Sequence, residues 1–427
     1  MKNELVRLKE LAAAATLCDR WGSFVKSDVL AVRHDADCGY EFRGAAYSPI
    51  VDSVVELCTG EGLSVISVAT PYSRLKGGDA FNKPLTLNRR FFVAALLSRL
   101  MALPLGRSRA RQQGADRRAS IWREVLSRVR PRLVIGVQPD RYLCRASREM
   151  GIPVYDIQHG VIAEDHWWYG KALRHAVPQS DLPTGILCWD RPSASVLEQW
   201  APTRGVVVEV VGHPWFQRFR SPSSADDLVA EALQRGRVFN NGKPTVLVSL
   251  QWGLHIHYYQ NTDFNKVMCK ALEAAILCTQ ERYNWLLRLH PVQRRGAEGR
   301  YCEAYLQETF GSCAQVEWEQ ASSAPLPALL AQADLHITDM STVVTEAAWL
   351  GVPSALLNPL LRKGGALESL YQHERQIGIA SLVEQDAHAI ESWMDEQLSE
   401  EEKLGPSNWG SVDGLRSVLK NTLVMND

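Results

Sequence analysis

The sequence predicts an α/β protein built of two doubly wound, parallel-sheet domains. Three observations carry this expectation. At 427 residues the chain is too long for one ordinary core and long enough for two. Short apolar runs rich in Val, Ile and Leu recur in both halves, separated by helix-like stretches at the spacing of a parallel sheet. Many of these runs end in polar loops, where open α/β sheets present their ligand-binding groups.

In the first half, residues 1–30 read as an amphipathic helix followed by a strand that begins at Asp28 and runs to Val32. The loop after it crowds His34, Asp35, Asp37 and Gly39. Asp35 and Asp37 are candidates for a base that activates an acceptor hydroxyl. A solvated loop with turn-capping aspartates has the same composition. Residues 50–60 read as a helix and Leu63 to Ala69 as a strand. Residues 89–118 combine large apolar residues with many arginines. That mixture suits an element lying on an anionic membrane surface or a basic groove for a phosphorylated or lipid-linked acceptor. A core helix followed by a solvated basic loop fits it as well. After a helix near 120–130 come strands Pro131 to Val137 and Gly151 to Ile157, the latter ending in Gln158-His159-Gly160. His159 is a candidate general base, beside a glycine that permits close approach. Glu164 and Asp165, next to paired tryptophans, are weaker candidates. Leu182 to Trp189 and Val206 to Val211 complete this half.

Residues 221–243 are polar and weakly periodic and read as a linker between an N-terminal domain, 1–220, and a C-terminal domain, 244–427. The second half restarts with a strand from Pro244 to Leu250 and the loop Gln251-Trp252-Gly253. A helix over about 263–280, a strand from Asn284 to Leu289 with His290-Pro291 at its end, and a helix near 298–309 follow. Then come a strand at Val316 and a short helix from Pro325 to Ala331. The segment from Ala333 to Pro353 reads as strand, polar turn and helix, with Ser341 as N-cap. The last helices, near 366–373 and 387–400, are expected to fold back on the body.

Hydrophobic residues make up 46% and charged residues 22%, as in folded soluble proteins. A net charge of −1 argues against a general nucleic-acid binder. Nine cysteines without a CxxC pair fit reduced thiols in a cytoplasmic protein. Neither a secretory signal nor an apolar run of bilayer length is evident. No GxxxxGK[ST], GxGxxG after the first strand, HExxH or GxSxG pattern is present. Asp35-Ala36-Asp37 is a possible metal pair, but so short a match supports no metal, and no cofactor is expected. The turn Thr338 to Thr342 opening a helix is a ready anion site, with Glu346 placed to reach a ribose. An imidazole at His290, aimed by Pro291, can donate to a phosphate oxygen. Arg288 there fits a structural ion pair. Strand-end loops on two such domains imply a cleft between them.

Together, His290-Pro291, Ser341-Thr342 with its EAxxLGVP continuation, and His159-Gly160 resemble motifs of the GT-B glycosyltransferase superfamily. They look most like its bacterial surface-polysaccharide branch: capsule and lipopolysaccharide Kdo transferases, polysialyltransferases and CDP-glycerol glycerophosphotransferases. The resemblance implies a GT-B fold, two Rossmann-like domains facing across a cleft. It assigns acceptor binding to the first domain and donor binding to the second. It implies that His290, Pro291, Ser341 and Thr342 cradle the donor's phosphate, and it matches His159-Gly160 near the end of the first domain. From their own loops, Glu346 and Gln251 are expected to join the nucleotide site, and His159, Asp37 or Asp35 to act on the acceptor. Asp37-Cys38-Gly39 departs from the branch's acidic pair, because cysteine replaces the second acid.

The function expected is transfer of Kdo or a related acidic sugar from a CMP-activated donor to a lipid-linked or oligosaccharide acceptor, in capsule or lipopolysaccharide synthesis. CDP-glycerol-type glycerophosphate transfer is the runner-up, and non-hydrolysing UDP-sugar 2-epimerisation is a reading from another reaction class. A catalytically silent scaffold would have lost the polar loop residues. The expected location is cytoplasmic, with peripheral contact to the inner membrane through 89–118.

Overall fold

The computed structural model describes residues 21–424 apart from 38–39, 74–79, 102–105, 163, 165, 258–265 and 400–411. Residues 1–20, which include most of the expected N-terminal amphipathic helix, and Cys38-Gly39 and Asp165 therefore lie outside the described residues. The chain divides into two compact units, Met1–Gln217 with Trp409–Asp427, and Arg218–Asn408.

Unit 1 holds strands β1 (Val29–Arg33), β2 (Tyr40–Phe42), β3 (Ala45–Tyr47), β4 (Val65–Ala69), β5 (Leu133–Gly136), β6 (Val154–Ile157), β7 (Gly185–Cys188) and β8 (Val207–Val210). Six of them form a sheet in the order β4-β1-β5-β6-β7-β8, and every pairing in it is parallel. The strand order reverses between β1 and β5, so the carboxyl ends of these two strands mark the switch point. β2 and β3 form an antiparallel hairpin, turned by Arg43 and Gly44, both at positive φ. This hairpin lies where a plain loop was expected.

The helices α1 (Val51–Gly60), α2 (Asn88–Leu100), α3 (Arg107–Val129), α4 (Arg141–Glu149) and α5 (Arg191–Glu198) flank this sheet in sequence. Leu30, Val32, Val68, Phe91, Trp122, Leu126 and Val134 pack into one core cluster. α3 corrects the expectation of a basic loop followed by a helix near 120–130. Arginine is a good helix former, and Ala110, Ala115, Ala119 and Trp122 supply a buried stripe made mostly of side chains too small to stand out.

Unit 2 has β9 (Thr245–Ser249), β10 (Asn284–Arg288), β11 (Val316–Glu317), β12 (Leu335–Thr338), β13 (Ser354–Leu356) and β14 (Ala380–Leu382). Their order is β11-β10-β9-β12-β13-β14, again with parallel pairing throughout. The reversal falls between β9 and β12. Its helices include α6 (Asp227–Gly236), α7 (Lys270–Thr279), α8 (Gly296–Phe310), α9 (Val343–Trp349) and α10 (Ala387–Ser399).

α6 occupies the segment read as a linker. Asp226 caps it by accepting from Val229 N at 3.1 Å and pairs with Arg218, while Leu228, Val229 and Ala232 are buried. Its five apolar residues, Leu228, Val229, Ala230, Ala232 and Leu233, crowd into six positions and show no extended period, so periodicity does not reveal it. α7 is shorter than expected, and the helix sought near 366–373 is Gln372–Gln376. The last helix, α11 (Val412–Val424), packs in unit 1, where Gly414 lies against Val210 and Arg416 pairs with Glu61. Among the described residues no helix is long and apolar enough to cross a membrane.

Candidate functional site

In unit 2 the candidate residues gather at the carboxyl ends of the adjacent strands β10, β9 and β12. β10 is buried on both faces from Asn284 to Leu287, and the polar groups lie at the strand tips. Gln251, just past β9, accepts from Met340 N at 2.7 Å through Oε1, and its main-chain oxygen accepts from Gln293 Nε2 at 3.3 Å. It thereby ties the β9, β10 and β12 loops together, while its own Nε2 donates to no group among the described residues. Thr338 Oγ1 donates to Ser249 O at 2.8 Å and accepts from Ser341 N at 3.3 Å. Tyr371 donates to Met340 O at 2.7 Å.

His290 is the N-cap of the 3-10 turn Pro291–Arg294 and belongs to a capping box with Gln293. Its Nδ1 accepts from Val292 N at 3.2 Å, and its main-chain N–H donates to Gln293 Oε1 at 2.9 Å. An accepting Nδ1 carries no proton, so the neutral ring holds its proton on Nε2 and offers a donor there. Burial lowers the His290 pKa, which favours this neutral form.

Ser341 is not the N-cap of α9. Thr342 takes that position in helical conformation without a side-chain cap bond, and Ser341 Oγ accepts from Val343 N at 3.3 Å. The helix starts later than expected because the Thr338 and Gln251 bonds hold the preceding turn. Val344, Ala347, Ala348 and Trp349 form its buried face.

Glu346 makes no hydrogen bond among the described residues. Burial raises its pKa to about 7, against the lowering effect of Arg288. Arg288, pushed down to about 10 by burial, stays cationic at neutral pH. Its Nη1 donates to Ala321 O at 2.7 Å and Ala324 O at 2.8 Å. Arg288 is thus anchored by carbonyls, with a carboxylate nearby, a role that strand alternation alone left open. Beside the His290 turn lies an open cavity of about 800 Å³, lined by Leu289, Gln293, Arg294, Arg300, Trp318 and Ser322 among others. Its size is that of small-molecule sites.

In unit 1, His159 follows β6 in a turn closed by Gly160 at φ +79°. Gln158, buried beneath it, donates to Gly160 O and Ser193 Oγ at 3.0 Å each and accepts from Trp189 N at 2.8 Å. Tyr169 Oη accepts from His159 N at 3.0 Å. Tyr169 belongs to a π-helix, Trp167–Ala176, whose first N–H groups are accepted by His166 Nδ1. Buried Asp156 accepts from Gln138 N and Trp168 Nε1, both at 2.8 Å, and burial lifts its pKa to about 7. His213, its ring tilted against Trp189 with centroids 4.3 Å apart, is pushed down to about 3 by burial and by the neighbouring His159. Asp156 falls inside a predicted strand and His213 just beyond another, so neither stands out as a site residue by position. An acid inside the apolar run before Gln158-His159 was the available signal.

Asp37 lies beneath α1. Its Oδ2 accepts from Ser48 Oγ, from Ile50 N at 3.0 Å and from Val51 N at 3.3 Å. Burial nevertheless lifts its pKa to about 7. This carboxyl is committed to the start of α1 and is placed as a structural cap. Asp35 accepts from Ser73 Oγ at 2.5 Å. Deeper in, Arg33 and Asp52 form a buried ion pair at 3.4 Å. Burial raises Asp52 to about 6 and Arg33 opposes that shift. Among the described residues no group of three or more His, Cys, Asp or Glu is placed to hold a metal.

No family model matches the chain, and no curated protein matches it in sequence. Solved structures share its fold. The UDP-GlcNAc 2-epimerase of Neisseria meningitidis, bound to UDP-GlcNAc, is similar with a TM-score of 0.56 at 13% identity, over 93% of this chain and 99% of that one. The UDP-GlcNAc 2-epimerase of Methanocaldococcus jannaschii is similar with a TM-score of 0.57 at 12% identity, over 92% and 99%. The wall teichoic acid polymerase TagF, soaked with CDPG, is similar with a TM-score of 0.57 at 11% identity, over 100% and 95%. At such identities the likeness is one of fold. It is a GT-B type fold of two parallel six-stranded sheets.

Proposed function

We propose that this chain is a GT-B transferase whose unit 2 binds a cytidine-nucleotide donor by its phosphate. The observation that carries this reading is the His290 cap. A neutral imidazole with Nδ1 occupied directs an Nε2–H donor from the end of β10, and Gln251 Nε2, without an acceptor among the described residues, lies on the next strand's loop. Arg288 adds positive charge. These groups stabilise the charge that develops on a departing nucleotide. The cavity lined by Trp318 takes the nucleoside, and Glu346 accepts from the ribose.

The donor proposed first is a CMP-linked acidic sugar such as Kdo. In the transfer, the anomeric carbon–phosphate oxygen bond breaks, CMP leaves with the electron pair, and the acceptor oxygen bonds to the anomeric carbon. The acceptor's proton passes to a base in unit 1, which we assign to His159, since Asp37 is engaged under α1. The acceptor is a lipid-linked or oligosaccharide glycan of a bacterial surface polysaccharide. A second reading, glycerophosphate transfer from CDP-glycerol, is favoured by the His159-Gly160 turn together with the fold likeness to TagF over the whole chain.

Calorimetric titration with CMP, CDP, UDP and GDP tests the assignment. Tightest binding of CMP is expected. Clear preference for CDP selects the second reading, and preference for UDP overturns both in favour of epimerase-like chemistry. His159→Ala should leave nucleotide affinity unchanged and lower turnover by roughly 10²–10⁴-fold, the usual contribution of a general base.

A further inference from the structure

We propose that the outer face of α2, with the arginines beside it, docks this protein on an anionic lipid surface. α2 packs on one face and leaves four large apolar side chains on the other. It buries Asn88, Phe91 and Ala94, and it crosses α3 so closely that a Cβ on Gly114 would lie 2.4 Å from Ser98 Oγ. Ser98 donates to Ala110 O at 3.0 Å across the same crossing. On the opposite side Val93, Leu96, Leu97 and Leu100 are 48%, 46%, 42% and 61% exposed. Their spacing of three, four and seven residues aligns them in one helical stripe. Four large apolar side chains held together in water mark an interaction surface.

Charge identifies the occupant. Between residues 88 and 118 the chain carries eight arginines and a single acid, Asp116. Arg99, Arg109 and Arg111 are exposed. A groove of about 410 Å³ beside the stripe is lined by Arg89, Arg90, Val93, Leu97, Arg117 and Ile121 among others. A second copy of the chain would set these arginines against one another. Anionic headgroups neutralise them while the stripe enters the acyl boundary. At 13 residues α2 is too short to span a bilayer and lies along its surface. The proposal does not depend on the identity of the donor.

Vesicle flotation of the full chain tests it, using phosphatidylcholine vesicles with and without phosphatidylglycerol. Wild type should float with the phosphatidylglycerol vesicles, at least tenfold more weakly with phosphatidylcholine alone, and progressively less as salt rises. Leu97→Asp with Leu100→Asp should cut binding at least tenfold without shifting the melting temperature, and Arg99→Glu with Arg111→Glu should do the same by a separate route. The idea is overturned if wild type stays unbound, binds both vesicle types equally, or is matched by the leucine variant. It also fails if sedimentation equilibrium shows a wild-type dimer that the leucine variant abolishes, because the stripe then serves a second copy.

Discussion

At His290 one hydrogen bond decides what the ring can do. With Nδ1 accepting from Val292 N–H, protonation of that nitrogen would break the cap, so the ring works as a neutral donor through Nε2. Cap and ligand contact can be separated by substitution. His290→Ala should lower stability by about 1 kcal/mol through loss of the cap. It should also weaken CMP binding roughly tenfold through loss of one hydrogen bond to a charged group. His290→Asn should recover the stability, since asparagine caps well, without recovering affinity. Urea melts and calorimetry on the two variants measure these effects. Undiminished CMP binding by His290→Ala would remove the imidazole from the site. Asp37 shows the opposite outcome: a carboxyl with the residue type of a base whose Oδ2 accepts from Ser48 Oγ and from the N–H groups of Ile50 and Val51 at the start of α1.

Among the secondary-structure elements, the switch points carry the functional loops, and close strand packing holds them in place. Gly136 ends β5 beside β1 in unit 1, and a Cβ there would meet Val32 O at 2.2 Å. Gly136→Ala should therefore push β5 from β1 and cost about 1–3 kcal/mol or more, the range for overpacking a filled core. A lower urea midpoint with an unchanged slope is the expected result. An unchanged midpoint would mean that the two strands yield without cost. In unit 2 the corresponding link is Gln251, whose side chain joins β9 to the β12 turn. The sequence pattern located this turn correctly but assigned its cap to Ser341. Local spacing cannot show that Gln251 and Thr338 already satisfy the N–H groups before the helix.

Across the whole molecule, buried ionisable groups oppose one another. Burial raises Asp37, Asp156 and Glu346 to about 7 and lowers His213 and His336 to about 3. A raised carboxyl stabilises the fold while it is protonated, and that contribution disappears as pH climbs from the unfolded value toward 7. A lowered imidazole stabilises above its unfolded value near 6.5, and its contribution disappears as pH falls toward 3. The two sets offset between pH 4 and 7. Removing one acid should tilt the balance. Asp156→Asn should gain stability relative to wild type by on the order of 1–3 kcal/mol between pH 5 and pH 8. Denaturant melts at the two pH values check this, and a difference that does not change with pH would show Asp156 to be ionised throughout.

The sequence by itself determined the α/β class, the position of most strands and the polar strand-end loops. Each of these follows from contiguous apolar runs such as Leu133 to Gly136 and the residues that end them. Only the tertiary structure decided which polar residues are engaged. Asp37 meets α1, Arg33 meets Asp52, Arg288 lies near Glu346, and His159 lies near His213. Each pairing joins positions distant along the chain, and burial then sets the charge state of its members, so no local pattern can encode it. The exposed stripe of α2 has the same origin. Its apolar spacing is written in the sequence, but the close crossing at Ser98 and Gly114 decides which face turns outward.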